Sequence, residues 1–204
     1  MGERTKIIIL TGPSGAGKTE LKRYLLSDWK GLFSEFITST TRSPRPSEQH
    51  GSDYYFRRDE DFQKMITNND MFEHEEVFSG KFYGCEYYEL DRILQSKKTP
   101  LLVVDVRGAL KFLGKESFKT IDLSRIDPIV FFITCPINVL IDRIKKDNKA
   151  GKRNDSETDI EKRYERMVFE LGQQPQFQNI INNDREFSFT ANELINKILE
   201  TIKK

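Results

Sequence analysis

The stretch Gly12-Pro13-Ser14-Gly15-Ala16-Gly17-Lys18-Thr19, directly after the apolar run Ile7-Ile8-Ile9-Leu10, decides the fold of this chain. It fits the pattern G-x-x-x-x-G-K-[ST], whose glycines let backbone N–H groups turn inward around phosphate oxygens. Lys18 reaches the β and γ phosphates of a nucleoside triphosphate, and the Thr19 hydroxyl is suited to ligate Mg2+. An apolar strand before the loop and a helix pattern after it (Leu21, Leu25, Leu26) supply the context the motif requires. The helix expected to start near Lys18 adds its positive N-terminal dipole.

Outward from this loop, continuous apolar runs recur at 101–104 and 129–133, with a shorter one at 179–181, besides 6–10 itself. Such runs mark strands buried on both faces. Between and after them, apolar residues at helical spacing predict helices over 138–146, 159–171 and 192–202. The alternation implies an α/β fold, a doubly wound parallel sheet of P-loop nucleotide-kinase type. A length of 204 residues fits one domain over 1–204 with insertions. Residues 37–98 change texture to short β-like pieces, turns and many aromatics, and read as an inserted lobe. The polar, basic stretch 145–157 reads as a mobile loop.

A charged fraction of 32% against a net charge of +1 describes a mixed surface with no bias toward a polyanion, so no nucleic-acid partner is expected. Cys85 and Cys135 are the only cysteines and His50 and His74 the only histidines, which offers neither a disulfide framework nor a zinc site. No signal peptide, lipidation motif or apolar stretch of about 20 residues is present, so no membrane is expected and the location expected is cytoplasmic.

The inserted lobe carries the second set of motifs. Thr38-Ser39-Thr40-Thr41-Arg42-Ser43-Pro44-Arg45 sets two arginine forks around a proline, a presentation suited to phosphate. Glu48, Gly51, Asp53 and Tyr54 follow, then Phe72-Glu73-His74, then Gly80-Lys81-Phe82-Tyr83-Gly84. Together with the glycine loop and the pair Lys162-Arg163, these segments stand in the order and near-spacing of guanylate kinases, which the chain resembles over nearly its whole length.

The resemblance implies a core (1–36, 99–141 and 172–204), a mixed β/α lobe that binds a nucleoside monophosphate (37–98), and a helical lid (142–171) that closes over ATP. It implies that Gly12 to Thr19 hold ATP, with Asn182 and Asp184 beside the adenine. Arg42, Arg45, Tyr54 and Tyr83 would hold the phosphate of GMP, with Glu48 and Gly84 in the same site. Glu73 would face the guanine, helped by Thr38 and Cys85, and Asp105 matches the second aspartate of the family's D-x-D segment. Lys18, Arg143, Arg153 and Arg163 would stabilise the transferring group. The implied reaction is Mg2+-dependent transfer from ATP to GMP, giving ADP and GDP, by a monomer or homodimer.

Elementary chemistry supports Glu73. Guanine presents two donors, N1–H and the 2-amino group, that fit a carboxylate, whereas adenine aims a lone pair at it. A site built for specific hydrogen bonds rejects the wrong partner by about 10⁴-fold. Phosphoryl transfer needs positioning and charge neutralisation rather than a covalent device, and the sequence offers no catalytic triad.

Two positions depart from the family. Cys85 replaces a hydroxyl residue, and a thiol is a weak donor; it reads either as a weakened guanine contact or as a small buried side chain. Val103 replaces the first aspartate of D-x-D. The segment between Arg143 and Arg163 is also longer than usual. A ribose 1,5-bisphosphate kinase of similar fold and a phosphopeptide-binding module remain alternative readings. The intact glycine loop and lid arginines weigh against the module.

Overall fold

Alternate side chains of the first strand leave it on opposite faces, and both faces are covered. Ile8 and Leu10 join one buried cluster, Ile7 and Ile9 another. The computed structural model describes residues 4–44, 48–78, 80–114, 123–149 and 157–203. In chain order its elements begin with β1 (Thr5–Thr11), α1 (Lys18–Asp28), β2 (Phe33–Glu35), β3 (Ser39–Thr40) and β4 (Tyr55–Phe56). There follow α2 (Asp59–Thr67), β5 (Met71–Phe78), β6 (Lys81–Glu86), α3 (Tyr87–Gln95), β7 (Thr99–Val103) and α4 (Val106–Phe112). The remainder is β8 (Ile126–Thr134), α5 (Ile137–Lys149), α6 (Glu157–Gly172), β9 (Asn179–Asn182) and α7 (Phe187–Ile202).

Five strands form one parallel sheet in the order β2-β7-β1-β8-β9. On one face Leu21 and Leu25 of α1, Leu140 and Ile144 of α5, Met167 of α6 and Leu194 and Ile198 of α7 pack against Ile8, Leu10, Phe131 and Ile133. On the other, Leu90 and Ile93 of α3 and Ala109 and Leu110 of α4 pack against Ile7, Ile9, Val130 and Phe132. Each of the fully buried Leu, Ile, Val, Phe and Met side chains is worth roughly 1.5–3 kcal/mol. The doubly wound parallel sheet expected from the apolar runs is present. β1 lies between β7 and β8, so the chain order reverses around it. A ligand crevice opens at the carboxyl end of the strands at such a point.

All four expected core strands are found, within a few residues of their expected bounds. β2 was not anticipated: it is three residues long at the sheet edge, too short to show a periodicity. α7 starts before the expected 192, because Phe187 and Phe189 in its first turn are exposed and break the apolar stripe. α5 runs on to Lys149, so the beginning of the stretch read as a loop is helical.

The segment between β2 and β7 builds a second, mixed sheet in the order β4-β3-β6-β5, flanked by α2 and α3. Two buried carboxylates fix its base. Glu89 is fully buried and accepts from Ile37 N (3.0 Å), Tyr55 Oη (2.9 Å) and both Nε and Nη2 of Arg92 (2.7 Å each). Burial and then the Glu89 bond push the Tyr55 hydroxyl up to about 12. Glu86 takes a bidentate pair from Arg57 (2.9 and 2.8 Å) and a bond from Ser39 Oγ. Buried charges are tolerated only when paired in this way.

Candidate active site

The glycine loop leaves β1 and enters α1 at Lys18, with Gly17 as N-cap. Gly12 has φ +132°, and a Cβ there would fall on the Ile133 carbonyl oxygen, so only glycine fits. Lys18 folds back and donates Nζ to Gly12 O (2.6 Å) and Pro13 O (2.9 Å). Arg143 of α5 donates Nη1 to Gly15 O (3.2 Å) and Nη2 to Asn183 O (2.9 Å). Asn183 in turn donates Nδ2 to Ala16 O (2.8 Å) and its backbone N to Thr134 O (2.7 Å). A cavity of ≈ 450 Å³ opens over the loop, lined by Ser14, Gly15, Gly17, Lys18, Thr19, Arg143 and, unexpectedly, Glu20, Lys146 and Asp147.

Asn182 and Asp184, expected beside the adenine, are both exposed. The residue that ties β9 to the loop is Asn183 between them, which is buried. No local signal separates it from its neighbours except its place on the inward side of the strand end.

A second cavity of ≈ 340 Å³ lies between the mixed sheet and the carboxyl end of β7. Its walls include Thr38, Tyr54, Tyr83, Gly84, Cys85, Val103 and Asp105, together with Glu73, Glu75 and Arg166. Glu73 and Cys85 face each other as register partners of β5 and β6. Gly84 beside them has no room for a side chain, since a Cβ would lie 2.7 Å from Glu73 O.

Glu73 is buried, and burial pushes its carboxyl up to about 7 against the opposing pull of Lys111, whose Nζ is 4.0 Å away. The Cys85 thiol is hydrogen-bonded to Glu73 and driven well above its ordinary value, first by burial and then by the Glu73 charge. Cys85 is thus a small buried side chain, in the core cluster with Phe36 and Phe72, that also touches the Glu73 carboxylate.

Near the second cavity Arg42 forms a bidentate pair with Glu48 (2.9 Å each) and stacks over Tyr54 at 5.5 Å. Tyr54 meets Tyr83 edge-on at 6.0 Å. Asp105 is the N-cap of α4: Oδ1 accepts from Gly108 N (2.7 Å) and Oδ2 from Arg166 Nη2 (3.0 Å). Arg163 sits on α6 and lines neither cavity; from that helix the unexpected Arg166 lines the second. Arg45 and Arg153 lie outside the described residues.

Two cavities at the carboxyl end of one parallel sheet, one over a glycine loop and one walled by an aromatic and carboxylate lobe, are the architecture of a P-loop nucleotide kinase. The profile of the family described as guanylate kinase matches residues 4–202. A guanylate kinase of Chlamydia felis is 34% identical over 179 residues, covering 88% of this chain and 80% of that protein. One from Latilactobacillus sakei is 31% identical, covering 98% and 91%. The crystal structure of guanylate kinase from Anaplasma phagocytophilum has the same fold, with a TM-score of 0.66, 23% identity, and coverage of 100% of this chain and 89% of that one. The chain belongs to the guanylate kinase family, the ATP:GMP phosphotransferases. Among the described residues no helix is long and apolar enough to cross a membrane.

Proposed function

We propose that the cavity over the glycine loop seats ATP, that the cavity at Glu73 seats GMP, and that the γ-phosphate passes between them. The observation that carries this is the buried Glu73 carboxylate in a cavity whose walls also carry Thr38, Tyr54, Tyr83 and Cys85, with Glu75, Asp105 and Arg166 at its charged side. Guanine brings two donors to that carboxylate, and the Thr38 hydroxyl is at hand for its O6, joined by the Cys85 thiol once guanine takes its place on Glu73. Arg42 and Arg45, with Tyr54 and Tyr83, take the GMP phosphate. The bidentate Arg42–Glu48 pair holds the guanidinium in a fixed plane for that purpose.

On the donor side, the loop N–H groups and Lys18 take the phosphates once Lys18 leaves the carbonyls of Gly12 and Pro13. Arg143, already anchored to the loop, meets the charge of the transferring group, joined by Arg163 and Arg153 when 142–171 closes as a lid over the core. Closure excludes water, which would otherwise accept the phosphoryl group. Asn182 and Asp184 flank the adenine.

Mg2+ fits this donor set. Among the described residues no three His, Cys, Asp or Glu side chains converge into a metal site, so the phosphates of bound ATP would have to supply most of the ligands. Thr19, exposed at the start of α1 beside Lys18, supplies the protein hydroxyl. Bound there, Mg2+ would supply positive charge to offset that of the phosphates. The setting is cytoplasmic, and the unit is a monomer or homodimer.

A coupled ADP-release assay with GMP, dGMP, AMP and ribose 1,5-bisphosphate tests the proposal. ADP release with GMP and not AMP is expected. Release with the ribose bisphosphate alone would remove Glu73 from its role.

A further inference from the structure

Behind the guanine seat lies a buried ammonium that the reaction as described does not use. Lys111, in the last turn of α4, is 4% exposed, and its Nζ lies 2.6 Å from Glu75 Oε2 and 4.0 Å from Glu73 Oε1. Glu73 and Glu75 both line the cavity and, two apart on β5, stand on the same face of the strand. Two carboxylates sharing a site cannot both ionise cheaply, because each raises the other. A lone buried lysine would be equally costly.

We propose that Lys111 is a positioning residue for guanine recognition: by pairing with Glu75 it cancels that charge and keeps Glu73 ionised as the acceptor for the guanine edge. This rests on Glu73 receiving guanine. The groups facing Glu73 are Glu75 and, next along β5, His74; Cys85 from β6; Asp105 and Lys111 from α4; and Arg166 of α6, which acts through Asp105. Of these, Lys111 is the one cation in ion-pair range of the Glu73 carboxylate among the described residues. Its pull opposes burial, Glu75 and Asp105, and Cys85 assists it by donating to the ionised carboxylate. With Lys111 removed, Glu75 regains its full charge beside Glu73, and the proton on Glu73 is held to higher pH. With Glu75 neutralised instead, all of the Lys111 charge falls to Glu73, and the proton leaves earlier.

The two changes therefore have opposite signs, which loss of packing alone does not produce. The measurement is the pH profile of KM for GMP between pH 5.5 and 9 for the wild type, K111M and E75Q. Protonation of the GMP phosphate near pH 6 is common to all three and cancels. K111M is expected to move the midpoint up by about one unit, a tenfold rise in KM at a fixed pH below it, and E75Q to move it down. K111M/E75Q is expected to return the midpoint toward the wild type, because replacing both members of a buried pair is tolerated better than removing one. Midpoints that stay in place, or move the same way in both single variants, overturn the proposal, whatever happens to kcat or Tm. If K111M does not fold, the direction of the E75Q shift decides alone. E73Q is the separate control: if its KM for GMP equals the wild type's, the guanine reading itself has failed.

Discussion

Arg166 joins two elements that are far apart in sequence: its Nη2 donates to Asp105 Oδ2 at 3.0 Å while its Nε donates to Glu170 Oε1 at 2.9 Å. The bridge fastens α6 to the N-terminus of α4 at the wall of the second cavity. Because Arg166 is exposed along part of its length, the pair is screened by solvent. R166A should therefore lower unfolding stability by less than about 1 kcal/mol and raise KM for GMP by about twofold to fivefold. Denaturant titration and steady-state kinetics read the two effects; a large stability loss with unchanged KM would make the bridge purely structural.

E73Q should separate recognition from folding. Burial holds the Glu73 carboxyl up at about 7, above its unfolded value near 4.5. The folded state thus favours the protonated form, and the stability this gives is complete below about pH 4.5 and lost as pH rises through 7. At pH 8 the amide carries no such penalty, so E73Q should unfold at a temperature equal to or above the wild type's. Its KM for GMP should rise by at least about 100-fold. A marked drop in Tm at pH 8 would contradict this account of the burial.

The same carboxyl predicts an asymmetric acid response. Below pH 7 the acceptor is progressively protonated, so KM for GMP should climb about tenfold per unit. KM for ATP, which does not meet Glu73, should not follow it. A parallel rise in both constants would assign the effect to the phosphates or to general unfolding.

Cys85 should be chemically quiet. Its thiol is buried and held protonated, and the thiolate is the reactive form. Native protein at pH 8 should resist iodoacetamide at this position while unfolded protein reacts. C85S, which offers a better donor beside Glu73, should lower KM for GMP by up to roughly tenfold. C85T adds a methyl to a filled core next to Phe72 and should cost about 1–3 kcal/mol. Mass-spectrometric labelling and kinetics on the two variants check this.

What could be read from residues alone follows a physical divide. The glycine loop and α1 were legible because phosphate binding demands glycines at fixed spacing and a helix to follow. The core strands were legible because burial on both faces leaves unbroken apolar runs. β2 was not, since three residues with one fully buried side chain, Phe33, carry no period. Lys111 and Glu75 escaped notice because a charged residue in an amphipathic helix or an acidic run reads as solvated. Only the packing of α4 against β5 turns them inward. Arg166 escaped for the same reason: Arg163 and Arg166 lie within one turn of α6, and the sequence does not say which reaches the cavity. Asn183 sits between two asparagine and aspartate neighbours of like character, and only strand register selects it.

Asn183 has a practical meaning for anyone who wants to change which nucleotide serves as donor. Its side chain holds Ala16, its backbone N holds Thr134 and its carbonyl holds Arg143, so a substitution there disturbs three parts of the protein together. Asn182 and Asp184 point outward on either side of it. They form a pair of adjustable positions mounted on a fixed one; if they flank the adenine as proposed, a library that varies 182 and 184 while leaving 183 untouched searches base preference without dismantling the ties to the glycine loop.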